Sequence, residues 1–470
     1  MACILMVGSE VAPFATSGGL AVVLGALPPV LADSGHEVAV IVPRYGSESP
    51  QEAERIADFS IRLGSRNYLL RLLKVAGKAQ VFQIDCPMLF DRDGLYYDAA
   101  GDFPDNHIRF AVLCKAALET ARWIFRPQII HCHDWQSGLV PAYLKGPLAG
   151  DPTFYGIKTL FTIHNLGYQG IFPANYTQEV GLDSAQFKSD GVEFYGSLSF
   201  LKAGLVYSDA LNTVSPTYSR EIQTPEFGFG MDGLLRSRSS VLHGILNGID
   251  NAEWNPEDDG YLAANYSASD LKGKEACKLD LLREFGLSED LETPLIGIVT
   301  RLTSQKGSDL IASVVHELMR ENVRLVAIGS GEPDYEELFL AMQQLYPDRI
   351  SIKIGYRDEI THKIEAGADM FLMPSRYEPC GLNQIYSLRY GTLPIVRATG
   401  GLDDTIDEGT GFKFWEFSGS ALMGAIRSAL KTYADREKWN EMMKRAMRKD
   451  YSWTVSAAEY SKLYDRLLGN

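Results

Sequence analysis

Cysteine is sparse in this 470-residue chain: Cys3, Cys86, Cys114, Cys132, Cys277 and Cys380 are widely spaced and form no CxxC pair. That sparsity excludes a disulfide-stapled scaffold and points to a reducing, cytoplasmic compartment. No apolar run reaches the ~18 residues that a membrane span needs. The short run over residues 3–7 has no basic stretch before it, so it reads as a first buried strand and not as a leader peptide. Excess positive charge is also missing, with 45 Lys and Arg against 60 Asp and Glu and a formal net charge of -15. Such a balance opposes binding to nucleic acid or an anionic membrane, so any phosphate site has to be a local cationic pocket. Internal repeats and low-complexity tracts are absent too, and the glycine-rich stretch 8–28 has neither GxGxxG nor GxxxxGKS/T spacing, which leaves a dinucleotide fold and a P-loop unsupported.

What the chain does have is length and apolar content, 46% hydrophobic residues, enough for ~2–3 domains. Short apolar runs alternate with helical stretches, the pattern of an α/β protein whose parallel sheets carry helices on both faces. Strand candidates in the first half are 3–8, 37–43, 128–134, 158–164 and 210–215; residues 58–84 read as an antiparallel insertion. Turn formers crowd residues 246–260, and a second series follows at 295–300, 323–331, 350–355, 370–374 and 393–396. The expected architecture is two doubly wound Rossmann-like domains facing each other across a cleft, 1–247 and 248–450, with a final segment 451–470. In open α/β sheets ligands bind beyond the carboxyl ends of the strands. Residues 8–19, 131–134, 164–170 and 215–218 should therefore converge in the first domain.

The most specific segment is PSRYEPCGLNQIYSLRYGTLPIVRATGGL, residues 374–402. A loop with Glu378 and Cys380 leads to Gly381, Leu382 and Asn383 at a helix start, where free N–H groups and the positive dipole end suit a diphosphate. The small-residue turn at Thr399, Gly400 and Gly401 would allow close backbone approach to the same ligand. In TRLTSQKG, residues 300–307, Arg301 and Lys306 follow a strand, and two cations five residues apart neutralise a departing nucleotide diphosphate without a metal. His164 stands at a strand end in HNLGYQGIFP, where it can meet a sugar hydroxyl, although a lone histidine is more often structural. HCHDW, residues 131–135, adds Asp134; its two histidines lack a third ligand at suitable spacing, so no metal site is expected. Tyr356, after a strand, is a candidate to stack on a base.

At these residues the chain resembles bacterial glycogen synthases and plant starch synthases over nearly its whole length. The strings that carry the resemblance are SEVAPFATSGGLAVVLGALP, HCHDWQSGL, TIHNLGYQGIFP, FLKAG, TVSPTYSREI, GFGMDGLL, HGILNGID with EWNP, TRLTSQKG and EPCGLNQIYSLRYGTLPIVRATGGL. The resemblance implies a GT-B fold, transfer of glucose from ADP-glucose to the non-reducing end of an α-1,4-glucan such as glycogen with retention of anomeric configuration, no cofactor or metal, and a final helix within 451–468 that returns to the first domain. It further implies that Arg301 and Lys306 stabilise the ADP leaving group, that Glu378 holds glucose hydroxyls, and that His164 sits beside the anomeric carbon with Asp134 orienting the sugar. By the same resemblance Tyr356 stacks near adenine and Gly381 and Leu382 offer backbone donors to the phosphates. Thr16, Gly18, Gly19, Asn247, Cys380, Asn383, Thr399 and Gly400 complete the expected binding set.

One departure stands out. The family's first loop reads Lys-x-Gly-Gly-Leu, then Ala or Gly, then Asp, whereas this chain has Thr16, Ser17, Gly18, Gly19, Leu20, Ala21 and Val22. Losing a cation beside a phosphate costs on the order of 1.5–3 kcal/mol, about ten- to a hundredfold in affinity or rate. Two alternatives to an active ADP-glucose synthase therefore stay open at this point: a related transferase with another donor such as UDP-glucose, and a noncatalytic glucan-binding paralogue.

Overall fold

The computed structural model describes residues 1–46 and 53–469. The chain divides into two compact units, residues 1–214, 219–248 and 453–470 in the first, 215–218 and 249–452 in the second. Among the described residues no helix is long and apolar enough to cross a membrane.

The first unit is built on nine strands: β1 (Cys3–Val7), β2 (Glu37–Pro43), β3 (Glu54–Leu63), β4 (Arg66–Val75), β5 (Gln80–Asp85), β6 (Ile129–His133), β7 (Lys158–Ile163), β8 (Ala210–Thr213) and β9 (Leu242–Gly244). Their spatial order is β9-β8-β7-β6-β1-β2-β5-β4-β3. β1 pairs in parallel with β2 on one side and with β6 on the other. The chain therefore fills one half of the sheet, returns to the centre and fills the other, which puts the topological switch point between β1 and β6. The central strands are apolar throughout because both faces are covered: Ile4, Leu5, Met6 and Val7 are all fully buried. The segment expected as an antiparallel insertion is only partly so. β3 and β4 form an antiparallel hairpin, but β5 lies parallel to β2, so the three strands widen the main sheet. The helix Trp453–Leu468 packs on this unit, with Trp453, Tyr460, Leu463 and Tyr464 in one core cluster with Ile4, Leu24 and Leu27.

The second unit has six parallel strands: β10 (Leu295–Val299), β11 (Arg324–Gly329), β12 (Ile350–Ile354), β13 (Met370–Met373), β14 (Leu393–Arg397) and β15 (Phe412–Phe414). Their order is β12-β11-β10-β13-β14-β15, so the switch point falls between β10 and β13. Residues 215–218, expected with the first domain's loops, group with this unit instead. Thr217 donates from N and Oγ1 to Asp404, at 2.9 and 2.7 Å. All six cysteines are free thiols, and burial pushes that of Cys114 up to about 12.

Candidate functional site: polar groups at two switch points

Each switch point collects the polar residues that the sequence singled out. In the first unit β1 runs into Gly8, Ser9 and Glu10, and β6 runs into Asp134. Glu10 is 4% exposed and accepts hydrogen bonds from Ser17 N at 2.6 Å and Ser17 Oγ at 2.7 Å. The Tyr96 hydroxyl also donates to it and contacts Ser9 Oγ at 2.6 Å. A buried carboxylate thus pins the loop that opens the helix Gly19–Asp33. Sequence reasoning passed over Glu10, although an acid directly after the first strand and beside a glycine-rich turn was the available signal. Removing a buried acceptor with several donors costs about 1–3 kcal/mol. Glu10→Ala is therefore expected to lower unfolding free energy by that amount, measurable by urea denaturation.

Thr16, Gly18 and Gly19 are exposed in that loop. A Cβ added at Gly18 or Gly19 meets nothing within 4 Å, and Gly18 is extended at φ -172, so neither glycine is required by packing or backbone conformation. Val22 lies half-buried one turn into the helix.

Asp134 has the most unusual backbone in the unit, φ 54 and ψ -178, at the edge of a region that only glycine enters freely. Such strain costs ~1–3 kcal/mol and persists where surrounding contacts enforce it. Its Oδ1 accepts from His164 N at 2.7 Å. Burial raises the Asp134 carboxyl to about 7, against the opposing pull of backbone N–H donors from His164 and Asn165. His164, in turn, lies within 3.0 Å of His133 Nδ1 through its Nε2, and burial lowers its pKa to about 3, so the ring is neutral. The His133 ring lies tilted by 34° against that of His131 at 4.0 Å between centroids, and His131 contacts Tyr464 OH at 2.9 Å and Thr162 Oγ1 at 2.7 Å. Both nitrogens of His131 and the Nδ1 of His133 are thus engaged in a buried row of side chains that runs from the last helix to His164, while His133 Nε2 is buried without a hydrogen-bond partner among the described residues. From sequence His131 and His133 were weighed only as a metal pair and Tyr464 was not singled out; period-two spacing puts the two histidines on one face of β6, but the partners of His131 lie on β7 and 333 residues away. Gly170, at φ 55, closes the His164 loop against Trp135, whose ring an added Cβ would strike. Asn247 is 6% exposed, and its Oδ1 is buried with no hydrogen-bond partner in the fold.

In the second unit the loop after β10 carries Arg301 and Lys306, and the loop after β13 carries Ser375 and Glu378. The switch-point arrangement brings the two loops together: Lys306 Nζ meets Glu378 Oε2 at 2.5 Å, and Ser375 Oγ donates to the same oxygen at 3.1 Å. Glu378 is 5% exposed. Asn383 donates from Nδ2 to Val299 O at 2.9 Å, tying the helix Asn383–Arg389 to the end of β10. Gly381 has φ 72, so the Cys380–Asn383 corner needs glycine for its backbone. The Thr399–Gly401 turn is also packed tightly against the neighbouring loop. Added Cβ atoms at Gly400 and Gly401 would collide with Glu378 O at 1.9 Å and Cys380 O at 2.0 Å, so these glycines are small because the Glu378 loop presses on them. Thr399 is fully buried beneath it. Tyr356 is 64% exposed at the rim of a cavity of about 400 Å3 lined by Ile328, Lys353, Ile354, Gly355 and Arg357.

Two Rossmann-like units of this kind recur in solved glycosyltransferases. The catalytic domain of starch synthase IV from Arabidopsis thaliana, solved bound to ADP and acarbose, matches with a TM-score of 0.90 at 31% identity, covering 100% of both chains. Sucrose-phosphate synthase from Thermosynechococcus elongatus shares the fold at a TM-score of 0.63 and 18% identity, over 99% of both chains. The protein is a glycosyltransferase of the GT-B class. Residues 3–237 match the starch synthase catalytic domain family model, and residues 283–446 match glycosyl transferases group 1. A glycogen synthase of Myxococcus xanthus is 49% identical over 99% of both sequences, and one of Koribacter versatilis is 46% identical over 98% of both. The chain belongs to the glycogen synthase and starch synthase family.

Proposed function

We propose that the protein is a glycogen synthase that moves glucose from ADP-glucose to the non-reducing end of an α-1,4-glucan, with retention of configuration and without a metal. The observation that carries this reading is the Lys306–Glu378–Ser375 cluster at the second unit's switch point. A buried carboxylate for sugar hydroxyls and a cation for the diphosphate stand in contact, as a nucleotide sugar requires. The ADP bound in the starch synthase neighbour supports the choice of nucleotide. In this reading the second unit binds the donor. Lys306 and Arg301 offset the charge that builds on the departing diphosphate, Gly381 and Leu382 give backbone donors to its phosphates, and Tyr356 stacks on the base. Asn383, Cys380, Thr399 and Gly400 shape that pocket from behind through the contacts described above. The first unit, residues 1–247, serves the acceptor side: neutral His164 faces the anomeric carbon, Asp134 and Asn247 address the sugar, and the bare Gly18 and Gly19 admit the phosphates. The chemistry needs no enzymic nucleophile, because the departing phosphate oxygen takes the proton of the attacking hydroxyl.

Incubation with maltoheptaose and ADP-glucose is expected to release ADP and lengthen the chain by single glucose units whose anomeric protons are α by NMR. No ADP release, or β-linked products, would overturn the assignment.

The first-loop departure favours weaker donor binding and not loss of function, since the Lys306–Glu378 pair, Asp134 and His164 are all in place. Thr16 is exposed and Val22 half-buried, so both positions accept the family's residues without core repacking. Thr16→Lys with Val22→Asp is expected to lower the KM for ADP-glucose about ten- to a hundredfold. An unchanged KM in steady-state kinetics would show that the loop does not reach the donor.

A further inference from the structure

His133 has no part in the chemistry above, yet its Nδ1 lies 3.0 Å from His164 Nε2. The contact is built from behind. His133 is fully buried at the end of β6, and its carbonyl accepts from Ser137 Oγ at 2.8 Å, which fixes the backbone beneath the ring. The His131 ring lies against it, 4.0 Å away between centroids. Both His131 nitrogens are engaged, by Tyr464 OH and Thr162 Oγ1, so that ring cannot turn without breaking two buried hydrogen bonds. Thr162 Oγ1 also accepts from Asn212 Nδ2 at 3.2 Å, and Asn212 Nδ2 donates to Tyr460 OH at 3.0 Å. Two tyrosines of the last helix therefore brace the layer on which His133 rests.

The protons decide what the pair does. Burial holds both rings neutral, His133 well below the ordinary imidazole range and His164 at about 3. A neutral imidazole carries one N–H and one bare nitrogen, so across the 3.0 Å contact one ring donates and the other accepts. If His164 donated, His133 would have to carry its own proton on Nε2, which is buried with no hydrogen-bond partner among the described residues. A buried N–H without an acceptor is rarer in folded proteins than a buried acceptor without a donor. With His133 as the donor, the stranded atom is a lone pair and the proton of His164 moves to Nδ1. That nitrogen is also the one the fold leaves for a ligand. The backbone N of His164 donates to Asp134 and Nε2 meets His133, whereas Nδ1 has no partner among the described residues, and the side chain is only half-buried just past β7. We infer that His133 is a positioning residue that sets the tautomer of His164, donating from Nδ1 to its Nε2 so that His164 presents an Nδ1–H to an oxygen of the sugar being transferred. The inference rests on the proposed place of His164 beside the anomeric carbon. An N–H fixed in advance holds a sugar oxygen without reorganising during the reaction, whereas a ring free to exchange tautomers would present a lone pair to it in part of the population.

The test reads the tautomer directly, by long-range proton–nitrogen correlation NMR of the full chain with isotope-labelled histidine, the His164 signals being assigned by their loss in His164→Ala. Wild type is expected to show a protonated Nδ1 and a bare Nε2 at His164. In His133→Phe, which keeps a ring in place and removes its nitrogens, that pattern should give way to the Nε2-protonated form or a mixture. In His133→Asn, whose amide nitrogen falls near the Nδ1 position, it should persist. Turnover with ADP-glucose is expected to fall about 10–100-fold in His133→Phe, the usual cost of losing a group that orients a ligand from behind, and to return to within about fivefold of wild type in His133→Asn. The KM for ADP-glucose should stay within about threefold in both, a split that general loosening of the fold would not give. An Nε2-protonated His164 in wild type, which needs no variant to fold, would overturn the inference, as would wild-type tautomer and turnover in His133→Phe. The two readings fail separately: the Nδ1–H form in a protein that transfers no glucose sinks the proposed activity and leaves the tautomer assignment standing, and transfer by a protein with the Nε2–H form does the opposite.

Discussion

Lys306→Ala is expected to lower turnover with ADP-glucose by about 10²–10³-fold, the usual cost of removing one preorganised charge from a developing anion. Its effect on glycogen affinity should be within twofold, because Lys306 belongs to the donor-side unit. The ion pair complicates the single substitution. Glu378 is 5% exposed, and without the cation 2.5 Å away its buried charge keeps the Ser375 hydroxyl but loses its counter-ion, which costs up to about 3–5 kcal/mol of stability. The double variant Lys306→Met with Glu378→Gln removes both charges, so it should melt above Lys306→Ala while staying inactive. Transfer of labelled glucose and thermal melting on the same three proteins separate these effects. Turnover in Lys306→Ala equal to wild type would take the lysine out of the chemistry.

Asp134→Asn is expected to act oppositely on stability and on activity. In the folded chain burial holds the carboxyl at about 7, well above the ordinary value of 3.8. A raised folded pKa means that the protonated form is favoured by folding, so the associated stability is complete below about 4 and is lost as pH rises through 7. The loss reaches on the order of 1–4 kcal/mol for a shift of this size. Asparagine has no charge to bury, keeps an oxygen to accept from His164 N, and tolerates positive φ better than most residues. The variant should therefore melt above wild type at pH 8 and match it near pH 4. The neutral buried histidines contribute equally to both proteins and cancel in the difference. Activity should fall about 10²-fold, since the strained backbone and a carboxyl poised near neutrality mark a group kept for function at the expense of stability. An Asn variant with full activity, or one that melts below wild type at pH 8, would reject this role.

The strands of both units were legible because parallel sheets covered on both faces read as unbroken apolar runs, and runs such as 3–8 and 295–300 end within one residue of β1 and β10. Shorter strands escaped. β9 and β15 have three residues each, too few for any period to register. The hairpin β3–β4 was visible, but the parallel pairing of β5 with β2 was not, since nothing local in a strand states which neighbour it will choose. Arg301, Lys306 and Glu378 were readable as candidates from their positions after strands. That Lys306 and Glu378 touch depends on which strands flank the switch point, a property of sheet order and not of either loop. Long-range burial hid the rest: Glu10 under the glycine-rich loop, and the chain of His133, His131 and Tyr464 behind His164. The close approach of the Glu378 and Cys380 carbonyls to Gly400 and Gly401 was likewise hidden, since it joins two loops that only the fold brings together.

The central claim is most directly tested by transfer of labelled glucose to glycogen from ADP-glucose and from UDP-glucose, each in the presence of a chelator. The account predicts chelator-resistant incorporation with ADP-glucose that exceeds that with UDP-glucose. Incorporation from neither donor by a protein that still binds glycogen, or incorporation that the chelator abolishes, would contradict it.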